Sequence, residues 1–168
     1  WGHQGVQNSP LQAIRMSRLA TVADNNRLDT LNNSGKAIRL ILSDGSTVML
    51  YPGSRLQYFR NVAVVDKRDL HLDGKAFFEV AKNREKAFTV YTGMISTTAL
   101  GTSFSVVKKS GGIEVKLYTG RVSLRKEQDT LPGWNKDLVL APGERMLYDA
   151  YRSTVRVDRP ETTIDRTA

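Results

Sequence analysis

Residues that commonly carry chemistry are scarce in this chain. It contains no cysteine, which excludes disulfides, thiolate metal sites and cysteine nucleophiles. Its two histidines, His3 and His71, are far apart in sequence. His71 is followed by Asp73 and preceded by Asp69, so a histidine–carboxylate metal site is one interpretation. We favour an outward-facing strand histidine, because no second histidine is near enough to complete a ligand set.

The segment Ser105-Val106-Val107-Lys108 matches the Ser-x-x-Lys pattern of acyl-serine enzymes. Those enzymes need a helix to place both side chains on one face. This segment alternates as a strand, in which positions three apart point to opposite faces. No nucleophile elbow or phosphate-binding loop is present, and no carboxylate pair is distinguished from the others. We therefore predict no catalytic residue, no metal ligand, no cofactor and no enzymatic activity.

Positive charge is in excess, with 25 Lys and Arg against 17 Asp and Glu and a net charge of +8. Tyr51, Arg55, Tyr58, Phe59 and Arg60 offer the basic and aromatic side chains of a nucleic-acid-binding sheet. Alternatively, Tyr58 or Phe59 packs in the core while the arginines are solvated. No binding motif accompanies the segment, so we predict no nucleic acid as partner. A polyanion- or glycan-binding β-domain of the cell envelope remains the alternative to a protein-binding function.

Alternation of apolar and polar residues, the signal of β-strands, covers most of residues 36–157. Pairs such as Asp44-Gly45 and Pro142-Gly143 separate the runs and favour tight turns. The pattern predicts an all-β fold of many short antiparallel strands. Both a two-layer sandwich and an irregular β-solenoid are compatible with it.

Three parts follow one another along the chain. We assign residues 1–32 to an N-terminal extension or linker, in which Ser9-Pro10-Leu11-Gln12 has the form of a capping box and favours a short helix. Residues 33–157 form the β-domain. Residues 158–168 are a polar tail, which we expect to lead to a further domain. No apolar run of about 18 residues and no signal peptide is visible.

Four residues of the β-domain have predicted structural roles. Phe77 and Phe78 are adjacent, so they point to opposite faces of a strand. Either both are buried in a covered strand, or one is half-exposed. Phe104 shares an apolar face with Val106, and we expect it in the core. We expect Gly101 at a bend where a side chain does not fit.

Several short motifs occur in a fixed order between Asn33 and Asp149. They are Leu42-Ser43-Asp44-Gly45-Ser46, Ser54-Arg55-Leu56-Gln57-Tyr58, Leu72-Asp73-Gly74-Lys75-Ala76-Phe77-Phe78-Glu79-Val80, Leu100-Gly101-Thr102-Ser103-Phe104-Ser105-Val106, Leu117 to Val122 and Leu140-Ala141-Pro142-Gly143-Glu144. In this order they resemble the FecR-like family of bacterial cell-surface signalling proteins. Ser43, Lys75 and Ala87 stand where the family usually has proline, glutamate and proline.

The motifs are most similar to those of Bacteroidetes members of the family. The resemblance implies that the chain is the periplasmic part of an anti-sigma factor anchored in the inner membrane. Such a transmembrane sensor relays a signal from a TonB-dependent outer-membrane transporter to an extracytoplasmic-function (ECF) sigma factor. The implied partners are the transporter's periplasmic signalling domain and, through a cytoplasmic segment outside this chain, the sigma factor. The family's motifs are structural, so the resemblance gives no partner-binding residue.

Overall fold

The computed structural model describes residues 26–127, 134 and 136–160, and all regular structure among these residues is β-strand. The fourteen strands are β1 Arg27–Leu31, β2 Ile38–Ile41, β3 Thr47–Leu50, β4 Arg55–Phe59, β5 Arg68–Asp73, β6 Lys75–Glu79, β7 Phe88–Thr92, β8 Ile95–Ala99, β9 Ser103–Lys109, β10 Gly112–Thr119, β11 Val122–Lys126, β12 Leu138–Leu140, β13 Arg145–Asp149 and β14 Thr154–Asp158.

The strands form two seven-stranded sheets. Sheet A has the order β1-β4-β5-β7-β8-β11-β12, and sheet B has the order β14-β13-β10-β9-β6-β3-β2. All neighbours are antiparallel except β5 and β7, which are parallel. Each sheet follows chain order from one edge to the other, so the chain crosses between the layers while advancing in one direction. The all-β fold class predicted from the sequence is confirmed.

The core lies between the two sheets and is supplied by alternate residues of their strands. Phe78 of β6 stacks on Phe104 of β9 with ring centroids 5.1 Å apart, and meets Phe88 of β7 in the other sheet at 6.1 Å. All three rings are fully buried. Phe77 is half-buried on the opposite face, edge-to-face with Tyr118 at 5.5 Å. Of the two interpretations of the adjacent phenylalanines, the half-exposed one is therefore correct.

Strand β1 lies inside the region 1–32 that the sequence assigned to an extension. It pairs with β4 along its whole length at the edge of sheet A. Its two leucines, Leu28 and Leu31, are three positions apart, so the strand carries no period-two signal. We therefore propose that the β-domain begins with β1. The predicted N-terminal helix lies outside the described residues.

Arg68, the first residue of β5, is the largest fully buried side chain, with 1% of its surface exposed. Its guanidinium donates to Asp44 Oδ2 at 2.9 Å and to the Ala81 carbonyl at 3.0 Å, while Nε donates to the Lys86 carbonyl at 2.9 Å. The group also lies 5.4 Å from the centroid of the Phe88 ring. A charge so buried is tolerated because its donors are paired.

Asp44 connects this arginine to the turn between β2 and β3. Its Oδ1 accepts from the Ser46 amide at 2.9 Å, and its Oδ2 accepts from the Ser46 hydroxyl at 2.8 Å. The same hydroxyl accepts from the Ala81 amide at 2.9 Å. A turn of sheet B, the start of β5 in sheet A and the connection from β6 to β7 are thus joined by one buried polar cluster, which we call the Arg68 cluster.

Two turns meet at Gly101 and Gly120. A Cβ on Gly101 would lie 3.0 Å from the Cα of Lys82, so it fits only if that backbone moves. Gly120 has a φ of +83°, and a Cβ there would lie 2.9 Å from the Gly101 carbonyl oxygen. The predicted tight bend at Gly101 is thus packed closely against Lys82, which would have to move by a few tenths of an ångström to admit a side chain.

The fold predicts different costs for two phenylalanine truncations. Phe104→Ala is expected to lower the free energy of unfolding by about 3–5 kcal/mol, because it empties a fully buried site. Phe77→Ala, on the half-buried outer face, is the matched control and is expected to cost less than half as much. Urea denaturation of both variants measures the difference. Equal losses would contradict the assignment of Phe104 to the core.

Removing either member of the buried ion pair is expected to be costly. Arg68→Leu and Asp44→Ala should each lower the free energy of unfolding by about 3–5 kcal/mol, because each leaves an uncompensated buried charge. The double variant should cost less than the sum of the two. The exposed pair Arg125–Asp137 is the control, and breaking it should cost much less, because water screens an exposed ion pair. Additive losses at Arg68 and Asp44 would show that the two are not coupled.

Candidate functional site

The histidine and aspartates considered for metal binding do not form a site. His71 is exposed on β5 and stacks on Tyr91 of β7, with ring centroids 5.0 Å apart. Asp73 pairs with the Lys108 ammonium at 3.1 Å. No group of three or more His, Asp or Glu that could hold a metal ion occurs within 26–127, 134 and 136–160. His71 is thus the outward-facing strand histidine favoured from the sequence.

Ser105 and Lys108 of the Ser-x-x-Lys pattern have different surroundings. Ser105 lies on the outer face of β9, opposite Phe77 on one side and Lys116 on the other. The ammonium of Lys108 is held by the carboxylate of Asp73, which lies at the end of β5 in the other sheet. Lys108 is therefore engaged in a surface ion pair rather than placed as a base for Ser105.

The basic and aromatic residues between 51 and 60 do not share one face. Tyr58 packs against the core, which is the alternative that we kept open from the sequence. Arg55 is ion-paired with Asp29 at 3.5 Å. Tyr51 instead lies beneath the Lys75 ammonium, 4.2 Å from the ring centroid. This arrangement does not provide the continuous stacking surface that single-stranded nucleic acid needs.

The outer face of sheet A forms a shallow polar trough of about 390 Å³. Strand register brings hydroxyl side chains side by side across the sheet: Thr89 of β7 faces Thr98 of β8, which faces Ser123 of β11. Thr89 and Thr98 are hydrogen-bonded at 3.1 Å, and Ser96 donates to Glu127 at 2.5 Å. These hydroxyls form the floor of what we call the polar trough.

Charged groups border the polar trough. Arg125 holds Asp137 through two hydrogen bonds of 3.2 and 2.9 Å, and this bonding lowers the pKa of the Asp137 carboxyl. Burial raises the pKa of the Tyr91 phenol, and the carboxylates of Asp69 and Glu127 raise it further, against a smaller opposing effect of Arg125. The Tyr91 phenol of the trough therefore keeps its proton to a higher pH than an isolated phenol does.

A second groove, of about 520 Å³, continues from Thr98 and Ser123 toward the turns that contain Gly101 and Gly120. Its cations are Lys82 and Arg84, in the connection between β6 and β7, and Arg121, just before β11. All three are exposed, and none has a side-chain hydrogen bond or ion pair with another residue of the described ranges. We call this the basic groove; its lining residues are Lys82, Arg84, Thr98, Leu100, Gly101, Thr102, Gly120, Arg121 and Ser123.

Sequence analysis missed both surfaces. The polar trough depends on strand register, which places residues from four strands in neighbouring rows. The basic groove depends on three connections that are distant in sequence. One signal was present: residues 93–113 and 115–126 contain no aspartate or glutamate. Arg121 lies in the second of these stretches, so no acid is close to it in sequence.

The electrostatics of the polar trough can be tested at Tyr91. Asp69→Asn and Glu127→Gln are each expected to lower the pKa of its phenol, because each removes a negative charge that disfavours the phenolate. Alkaline titration of the labelled ring carbon by NMR measures the shift. Asp73→Asn is the matched control and should change nothing, since that carboxylate pairs with Lys108. No response to either trough variant would contradict the described geometry.

Comparison with known proteins agrees with this architecture. No curated protein matches the chain. Two crystal structures of "a putative anti-sigma factor" from Parabacteroides distasonis ATCC 8503, at 2.50 and 1.65 Å resolution, superpose with TM-scores of 0.72 and 0.71. Their identities to the chain are 23% and 24%, which shows a shared fold. Each match covers 80% of this chain, and the chain spans 61% and 60% of the two matched chains.

A family model gives the assignment. The model of the FecR protein family matches residues 27–123, from β1 to the start of β11. This range covers more than half of the 168 residues and includes the Arg68 cluster and all nine lining residues of the basic groove. The chain therefore belongs to the FecR family.

Proposed function

We propose that this chain is the periplasmic sensing part of an anti-sigma factor, and that it works by binding another protein. The observation that carries the proposal is the FecR family match over residues 27–123. The description of the two structural neighbours as an anti-sigma factor supports the same class of function. FecR proteins are regulators, which accords with our proposal that the chain is not an enzyme and needs no cofactor.

The architecture suits a relay of this kind. Both sheets end in edge strands that a partner can join by strand addition: β1 and β12 in sheet A, β2 and β14 in sheet B. Ile41 on β2 is 72% exposed, so that edge also offers apolar surface. The Arg68 cluster fixes the two sheets against each other. A scaffold of this kind can transmit a state through differential contacts with its partner rather than by refolding.

The proposed partners lie on both sides of the inner membrane. In the periplasm the partner is the signalling domain of a TonB-dependent outer-membrane transporter. The ECF sigma factor is bound through a cytoplasmic segment, and the parent protein is anchored in the inner membrane. The chain spans about three fifths of its structural neighbours, so these activities belong to the proposal for the whole protein. The described residues contain no helix long and apolar enough to cross a membrane.

A second candidate function is glycan binding in the cell envelope, and the polar trough favours it. Buried hydroxyls of Thr89 and Ser96 lie beside the stacked rings of Tyr91 and His71. Hydroxyl and carboxylate groups next to an aromatic surface are suited to sugars, which present both hydroxyls and apolar ring faces. A glycan array separates the two candidates, because only the second predicts saccharide binding that Tyr91→Ala abolishes.

Deletion of residues 36–150 from the parent protein is expected to abolish induction of a sigma-dependent reporter, because the periplasmic link is removed. An immunoblot of the membrane fraction controls for the amount of protein. Calorimetry of the purified periplasmic region with the transporter's signalling domain should show binding. Normal induction by the deletion variant, together with no binding, would contradict the relay.

A further inference from the structure

We propose that the basic groove is a docking site for an acidic segment of a protein partner, which anchors an apolar side chain on Leu100. The inference rests on the proposed function in one respect, namely that the partner is a protein. It adds the place on the molecule and the chemistry of the segment that binds there.

The basic groove carries a local excess of positive charge. Lys82, Arg84 and Arg121 line one groove, and no carboxylate of the described residues lines it with them. The nearest acids along these connections are Glu79, which accepts from the Thr47 hydroxyl at 3.3 Å, and Glu85. By contrast, Arg125 of the neighbouring polar trough pairs with Asp137, and Arg145 of β13 pairs with Asp158. The basic groove therefore presents an uncompensated positive field to an approaching molecule.

The connections that line the basic groove are held rigidly together. The β6–β7 connection is held against the β8–β9 turn by two backbone hydrogen bonds, from Val80 to the Thr102 carbonyl at 2.8 Å and from Asn83 to the Leu100 carbonyl at 2.9 Å. Close packing at Gly101 and Gly120 holds the β10–β11 turn against the same region. The three connections that line the groove, two of which carry its cations, are thus fixed before binding, which reduces the entropic cost of association.

The apolar lining of the basic groove favours a peptide over a small anion. Leu100 is 44% exposed in the groove, although it follows a strand whose core residues are fully covered. The aliphatic stems of Lys82, Arg84 and Arg121 add to this apolar surface. A free phosphate or a sulfated sugar would use the charges but not the leucine. An acidic peptide with an apolar residue satisfies both, and an extended one can continue over Thr98 and Ser123.

Selection from a displayed library of random peptides tests this proposal with a defined probe. Peptides of about 12 residues, which span roughly 40 Å when extended, are selected on the whole chain. The enriched peptides are then measured on two triple variants of equal charge change. The groove variant is Lys82→Glu with Arg84→Glu and Arg121→Glu. The control is Arg39→Glu with Arg60→Glu and Arg152→Glu, three exposed cations outside the groove.

We expect enriched peptides with net negative charge and at least one large apolar residue. Their affinity should fall about tenfold or more in the groove variant and within about twofold in the control. Leu100→Ser should also lower the affinity for the enriched peptides. Heparin should bind the chain more weakly than these peptides do. Thermal melting and circular dichroism confirm that each variant is folded.

Three outcomes would overturn the proposal: no enriched peptide, enrichment without acidic bias, or equal losses in the groove and control variants. Tight heparin binding that depends on the groove, without peptide selection, would assign the groove to polyanions instead. Because the reporter experiment with residues 36–150 deleted does not involve the groove variants, it can succeed while this inference fails.

Discussion

The buried guanidinium of Arg68 is the constraint on which the rest of the structure depends. A cation with 1% exposure is stable only when its donors are paired, and the partners come from different parts of the chain. The Asp44 turn belongs to sheet B, whereas the carbonyls of Ala81 and Lys86 belong to the connection from β6 to β7. The same connection leads into β7, which pairs with β5 in parallel. Lys82 and Arg84 lie between Ala81 and Lys86 in this connection, so the same cluster holds one side of the basic groove in place.

The sequence predicted the parts of the fold that depend on local periodicity. Alternation identified the β class, and it placed Phe104 on the apolar face where the structure has it. Arg68 was not identified, since it lies in the charged run Asp66-Lys67-Arg68-Asp69, which resembles a solvated surface. Its burial is created by Asp44, 24 positions earlier in the chain. Strand β1 was not predicted for a related reason. Its pairing with β4 stabilises a segment whose own residues carry little strand signal.

The binding surfaces were beyond the reach of sequence alone because they are assembled by topology. Sheet A collects β5, β7, β8 and β11 in one face, which brings Asp69, Thr89 and Ser123 into a single row although 54 positions separate the first from the last. The basic groove likewise joins Lys82 and Arg121 through two tightly packed turns. The segment Leu100-Gly101-Thr102 then has two roles, since the glycine permits close packing and the leucine forms part of the groove.

We have proposed that this domain acts by presenting the basic groove to a protein. Hydrogen exchange of the chain, with and without the transporter signalling domain that we propose as its partner, tests this most directly. We predict added protection of backbone amides at residues 82–84, 100–102 and 120–121, with little change on the outer face of sheet B. Protection confined to sheet B, or no protection anywhere at saturating partner, would contradict the claim.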